Sequence, residues 1–281
     1  SVNQAPELYF SDDHFNTTKK LSSFNKNTKN LILPEITSLK WKSDDGTQVQ
    51  GWYIQPEKMD KENPPPVVTL LHGVPGLPVT NKFNPYLQQW PFPVQSLTAK
   101  GYAIFIPNYR YTNSFGKEFK TPEKPDKESV QDVITGINYL INQGLANKEK
   151  LGIMGHSHGG WLGPMVAAEK PIFKAGSFAE GFGNYLSIYG HINGARNKDL
   201  HEYYLESTPY ENPDRYVELS PIFKDSLTTQ IPTLLEFGQR SPVAKQGVEF
   251  AKAFWRHNTP HELVIYPNEG HTIRSPKMQV D

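Results

Sequence analysis

The sequence predicts an α/β fold, a mostly parallel central sheet with helices on both faces, and three observations carry that prediction. From residue 67 onward, short continuous apolar runs alternate with amphipathic stretches, the pattern of doubly buried strands joined by crossover helices. Gly and Pro number 21 and 24, too many turn formers for a helical bundle. The chain of 281 residues suits one large domain with extensions better than two domains. Apolar residues make up 37%, enough for a core, because a chain of ~300 residues buries about three quarters of its surface.

Residues 1–64 are polar and broken. They hold strand-like pieces at 7–10 and 37–41, and an alternating stretch, Val49, Gly51-Trp52 and Ile54, that follows the turn signal Asp44-Asp45-Gly46 as the second arm of a hairpin. The basic run 19–29 is interspersed with Ser, Thr and Asn and reads as solvated surface, and 61–66 is a Pro-rich connection. Buried strands are expected at 67–71 and 102–106, with a helix over 93–100 between them that Gly101 closes. Ser129 opens a helix whose apolar face is Val130, Val133, Ile134, Ile137, Leu140 and Ile141; Asp132 stands at capping-box spacing and Gly144 ends it. Strands at 151–155, 175–179, 233–237 and 263–266 follow, with helices over 161–170 and 248–257. No internal repeat is visible.

Composition narrows the chemistry. Twenty-nine basic residues balance 29 acidic ones, which argues against nucleic acid as a partner. Cysteine is absent, so disulfides, thiolate metal sites and a Cys nucleophile are excluded. No apolar run approaches the roughly 18 residues of a membrane span. The polar start, residues 1–4, is no signal peptide, although one removed earlier leaves the compartment open. A homo-oligomer is compatible with the sequence.

The chemistry is carried by Gly155-His156-Ser157-His158-Gly159-Gly160, a G-x-S-x-G motif between an apolar strand and a helix, as a nucleophile elbow requires. Flanking glycines let the backbone turn sharply and present Ser157 at the tip, above a helix N-terminus. A serine hydroxyl needs a general base. His271, on the Gly-containing loop after the last expected strand, is the candidate. His156 and His158 form an H-x-H pair with no third ligand at metal spacing, so they are expected at the mouth of the site and no metal or cofactor is implied. An oxyanion needs two preorganised donors. The amide of His158 is one, and the amide of Val74, in the loop His72-Gly73-Val74-Pro75-Gly76 after the first strong strand, is the candidate for the other.

These motifs, together with Asn108-Tyr109-Arg110, Phe115-Gly116, Glu211-Asn212-Pro213-Asp214-Arg215-Tyr216, Leu219-Ser220-Pro221-Ile222 and Pro232-Thr233-Leu234-Leu235, make the chain resemble the prolyl oligopeptidase family over nearly its whole length, especially acylaminoacyl-peptidase and dipeptidyl-peptidase-like members. The resemblance implies an α/β-hydrolase domain that cleaves peptide bonds through an acyl-enzyme without a cofactor, Ser157 being the nucleophile and His271 the base. It also exposes a departure. The family's aspartate position, three residues after Gly238, holds Ser241. The acid is expected instead at Glu180, after the sixth strand, where some other α/β-hydrolases carry theirs; Glu236 is the rival. Residues 1–40 resemble the end of a β-propeller and 41–281 the catalytic domain, and only ten residues follow His271 where the fold usually closes with a helix. Three functions stay open: a peptidase, which leads; a carboxylic-ester hydrolase with the same site, so that the substrate is a peptide or a small ester; and a hydrolase-fold binding protein whose triad has decayed, for which Ser241 is the supporting feature.

Overall fold

The computed structural model describes residues 5–27, 33–60, 62–73, 78–80, 90–120, 125–191, 205–224 and 231–279. At the N-terminal side β1 (Tyr9–Phe10) and β2 (Lys19–Lys20) pair antiparallel as a small ribbon, so the basic run contributes a strand whose side chains are solvated. The expected hairpin follows as β3 (Ile36–Lys42) and β4 (Gln48–Ile54). Gly46 at its turn takes a φ of +85°, open to glycine at little cost, and its amide donates to the Ser43 carbonyl at 2.9 Å.

The remaining strands are β5 (Val67–Leu71), β6 (Ala103–Asn108), β7 (Leu151–His156), β8 (Phe173–Ala179), β9 (Thr233–Gly238) and β10 (His261–Tyr266). With the hairpin they form an 8-stranded sheet in the order β10-β9-β8-β7-β5-β6-β4-β3. Everything from β6 to β10 is parallel, and β4 joins β6 antiparallel. Because β3 pairs along its whole length with β4, the sheet takes in residues from Ile36, and the domain boundary expected after residue 40 falls inside a strand.

Alternation along each strand builds two cores. In β6 Ala103 and Phe105 face one, Ile104 and Ile106 the other; in β5 Leu71 and Leu70 divide the same way. The larger core packs against α3 (Pro125–Asn142), α4 (His158–Glu169) and α7 (Ala244–Arg256), and the smaller one gathers Val94 of α1 (Val94–Ala99) with Trp90, Phe92, Tyr266 and Ile273. Shorter helices are α2 (Lys117–Lys120), α5 (Tyr185–His191) and α6 (Pro213–Glu218). Among the described residues no helix is long and apolar enough to cross a membrane.

Three helices begin earlier than expected, α7 among them, at Ala244 and not at 248. α4 starts at His158, three residues before the predicted 161, because the elbow feeds straight into it. α3 starts at Pro125, where a missing N–H costs nothing, with Asp126 and Glu128 in its first turn. Ser129 and Asp132 are therefore not a capping box but lie a turn inside the helix. Their partner is Arg110, at the end of β6. The Ser129 hydroxyl donates to the Arg110 carbonyl at 3.1 Å, and the Asp132 carboxylate accepts from Arg110 N at 2.9 Å, Nε at 3.0 Å and Nη2 at 2.7 Å. Arg110 Nη1 reaches Asp45 in the hairpin turn, so one guanidinium joins hairpin, sheet and helix.

Asp132 is 0% exposed and Arg110 5%. Arg110→Ala, which strands that carboxylate, is expected to cost about 3–5 kcal/mol, and Arg110→Lys to recover only part of it, because an ammonium cannot reproduce the forked contact. Urea unfolding monitored by circular dichroism measures both; a loss below about 1 kcal/mol for Arg110→Ala would refute the keystone role.

Candidate active site

Ser157 sits between β7 and α4 with φ +59° and ψ −119°, a conformation an L residue adopts only when its surroundings enforce it. They do so by close packing. The Ser157 amide donates to the Ala179 carbonyl at 2.9 Å, and its own carbonyl accepts from Trp161 N at 3.2 Å. A Cβ on Gly155 would overlap the Gly159 carbonyl, and one on Gly159 would overlap the Leu71 carbonyl, so this turn admits only hydrogen at either place. The serine is pushed to the surface of the turn, half-buried.

His271 lies on the loop after β10. Its Nε2 stands 2.8 Å from Ser157 Oγ and its Nδ1 3.0 Å from Glu180 Oε2. Glu180 follows β8 with φ +53° and is fully buried. Its carboxylate also accepts from the Gly238 amide at Oε1 and from the Ser241 hydroxyl at Oε2. The rival Glu236 lies elsewhere. As the residue between Leu235 and Phe237 in β9, it projects to the opposite face of the sheet, where it accepts from Ser177 Oγ at 2.9 Å and Tyr266 OH at 3.2 Å.

The histidine loop is braced from several sides. Glu269, buried, accepts from the amides of Arg274 at 2.8 Å and Ser275 at 3.1 Å, folding the chain back around His271. The Arg240 amide donates to the Glu269 carbonyl at 2.8 Å, which ties this loop to the one after β9. His156 Nε2 donates to the His271 carbonyl at 2.8 Å, and its ring stacks on Trp90. Sequence reasoning missed these contacts, since nothing in the spacing of Glu269 or His156 marks them as partners of the loop.

His156 is 1% exposed, so it lies beneath His271 and not at the mouth of the site as expected. Burial, with His271 alongside, lowers its pKa to about 3. His158 turns the other way, among the rings of Tyr109, Tyr111 and Trp161, and burial lowers its pKa to about 3 as well. The two imidazoles thus diverge, and among the described residues no group of three His, Asp or Glu side chains could hold a metal. The His158 amide, at the first position of α4, belongs to the helix end whose N–H groups lack intrahelical partners. Val74, the other expected donor, lies outside the described residues. Trp161 is a core residue whose Nε1 donates to the Leu219 carbonyl at 2.8 Å, with Phe182 and Tyr185 packed against it.

Comparison with known proteins matches the prolyl oligopeptidase family over residues 89–281. The uncharacterized peptidase YuxL of Bacillus subtilis (strain 168) is 25% identical across 86% of this chain and 36% of its own length. The acylamino-acid-releasing enzyme of Rattus norvegicus is 26% identical across 81% of this chain and 31% of its own. Among solved structures, an acylaminoacyl peptidase of Pyrococcus horikoshii superposes with a TM-score of 0.82 at 25% identity, covering 96% of this chain and 43% of that one. The chain spans about a third of the length of the curated relatives it matches.

The lowered pKa values of the His156 and His158 imidazoles make stability pH-dependent. Below the ordinary pKa of 6.5 the unfolded chain binds protons that the folded chain refuses until about 3, so folding weakens as pH falls through that window. The melting temperature is expected to drop between pH 7 and 4, and less steeply in His158→Phe. Parallel slopes in a calorimetric titration would contradict a neutral, buried His158.

Proposed function

Because the chain belongs to the prolyl oligopeptidase family, we propose that it is a serine peptidase cleaving peptide or aminoacyl amide bonds through an acyl-enzyme, with Ser157 as nucleophile, His271 as base and Glu180 as acid. The observation that carries this reading is the unbroken relay from Ser157 Oγ to His271 Nε2 at 2.8 Å and from His271 Nδ1 to Glu180 Oε2 at 3.0 Å. Peptide substrates are supported by the family and by the acylaminoacyl peptidases among its relatives.

The steps follow from the positions of the atoms. Ser157 Oγ attacks the scissile carbonyl carbon while its proton passes to His271 Nε2. The imidazolium so formed donates from Nδ1 to Glu180, whose buried negative charge stabilises it and fixes the ring's orientation and tautomer. The developing oxyanion takes the His158 amide as one donor, with Val74 proposed for the second. Collapse breaks the C–N bond, and the leaving amine receives the proton from Nε2. A water then repeats the sequence: it gives its proton to Nε2, attacks the ester carbon and releases the acid, returning the proton to Ser157. No step calls on a cofactor.

Glu180→Gln is expected to lower kcat by about 10³–10⁴, the scale on which a triad loses its acid, whereas Glu236→Gln stays within a few-fold of the parent. A fluorophosphonate probe should label the parent and not Ser157→Ala. Assays run in parallel on an acylaminoacyl amide, a free aminoacyl amide and a short-chain p-nitrophenyl ester read the substrate. Turnover of the ester alone would overturn the peptidase reading, and no serine-dependent labelling would turn the case toward a binding protein.

A further inference from the structure

The loop after β9 supplies a hydroxyl to which the steps above give no part. Ser241 is 8% exposed, and its Oγ accepts from the Val243 amide at 3.3 Å. A serine hydroxyl has one proton to give, and this one goes to Glu180 Oε2, the same oxygen that His271 Nδ1 faces. On the other oxygen the Gly238 amide is the donor. Among the described residues the single ion-pair partner of Glu180 is His271 itself, so its buried charge rests otherwise on the dipoles of the Gly238 amide and the Ser241 hydroxyl. Glutamate also carries a longer side chain than aspartate and loses more rotamer freedom when it is held in one place.

Building on the assignment of Glu180 as acid, we propose that Ser241 is a positioning residue that locks the Glu180 carboxylate beside His271 Nδ1 and shares its negative charge. The residue at the family's acid position thereby keeps a part in the relay after the carboxylate has moved to another loop. A hydroxyl suits this part and a second carboxylate does not, because two carboxylates in contact cannot both stay ionised. Removing the hydroxyl frees the glutamate to change rotamer and leaves its charge less delocalised. The imidazolium formed during the reaction then faces a carboxylate that is no longer fixed beside Nδ1.

Ser241→Ala is expected to lower kcat about tenfold with KM unchanged, the scale of one hydrogen bond to a charged group. It should also displace the acidic limb of the kcat/KM profile, which the triad sets as a unit. Among the described residues the titratable ring packed against His271 is that of His156, which stays neutral across that limb because burial holds it near 3. Ser241→Thr restores the hydroxyl and should restore both readings; should it not fold, the limb shift in Ser241→Ala decides alone. Melting temperatures recorded alongside separate these effects from loss of the Val243 contact, which acts on stability. An unshifted limb in Ser241→Ala, or an activity loss that a folded Ser241→Thr does not repair, overturns the proposal. Glu180→Gln is measured in the same series. If it remains active, the acid assignment fails and this inference with it. If it is inactive while Ser241→Ala behaves as the parent, only the role of Ser241 fails.

Discussion

A carboxylate with no water around it has to be surrounded by donors, and much of this structure is arranged to surround that of Glu180. Three groups reach it: the Gly238 amide from the end of β9, the Ser241 hydroxyl from the loop that follows, and Nδ1 of His271 from the loop after β10. Its own backbone turns through a positive φ directly below the elbow, where Gly160 of α4 and Gly181 approach so closely that a Cβ on either would strike the backbone of the other. The turn that carries the carboxylate and the helix that carries the serine are therefore in main-chain contact. Their separation is set by backbone, which is stiffer than any side-chain contact.

The same economy appears at the histidine. A loop 5 residues beyond β10 would ordinarily be mobile, yet this one is held at its backbone as well as its ring. His156 secures the His271 carbonyl, Glu269 pulls the following amides back, and Arg240 closes the loop against its neighbour. Kept neutral by burial, His156 makes this contact with Nε2 protonated, which leaves its buried Nδ1 without a partner among the described residues. That orphan atom is an energetic cost carried next to Ser157 and His271.

Much of the architecture was legible because it rests on short-range rules. The apolar runs of β5, β6, β7 and β9 are strands buried for most of their length, and such runs announce themselves without any knowledge of partners. Ser157 was legible through the glycines its turn demands, and His271 through its place after the last strand. Where spacing misled or left a choice open, the cause is shared. Ser129 and Asp132 have capping-box spacing, but a guanidinium brought 22 residues along the chain claims the aspartate. Glu180 and Glu236 both stand at the ends of apolar strands, and their one-dimensional surroundings barely differ. Alternation along β9 sends Glu236 to the far face with Ser177 and Tyr266, while Glu180 lies past the end of β8 and is released from the strand's period.

By itself, then, the sequence determined the sheet, the elbow and the types of side chain available to it, since periodicity and glycine placement are properties of neighbouring residues. The absence of cysteine left serine as the nucleophile to look for. Which carboxylate meets His271, what Ser241 does beside it and why His156 is neutral were decided by tertiary structure. The groups concerned are separated by 58 to 115 positions in the chain. Their hydrogen bonds depend on the parallel register that brings the ends of β7, β8 and β9 to one edge of the sheet, beside the loop that follows β10, and on the burial that this edge imposes.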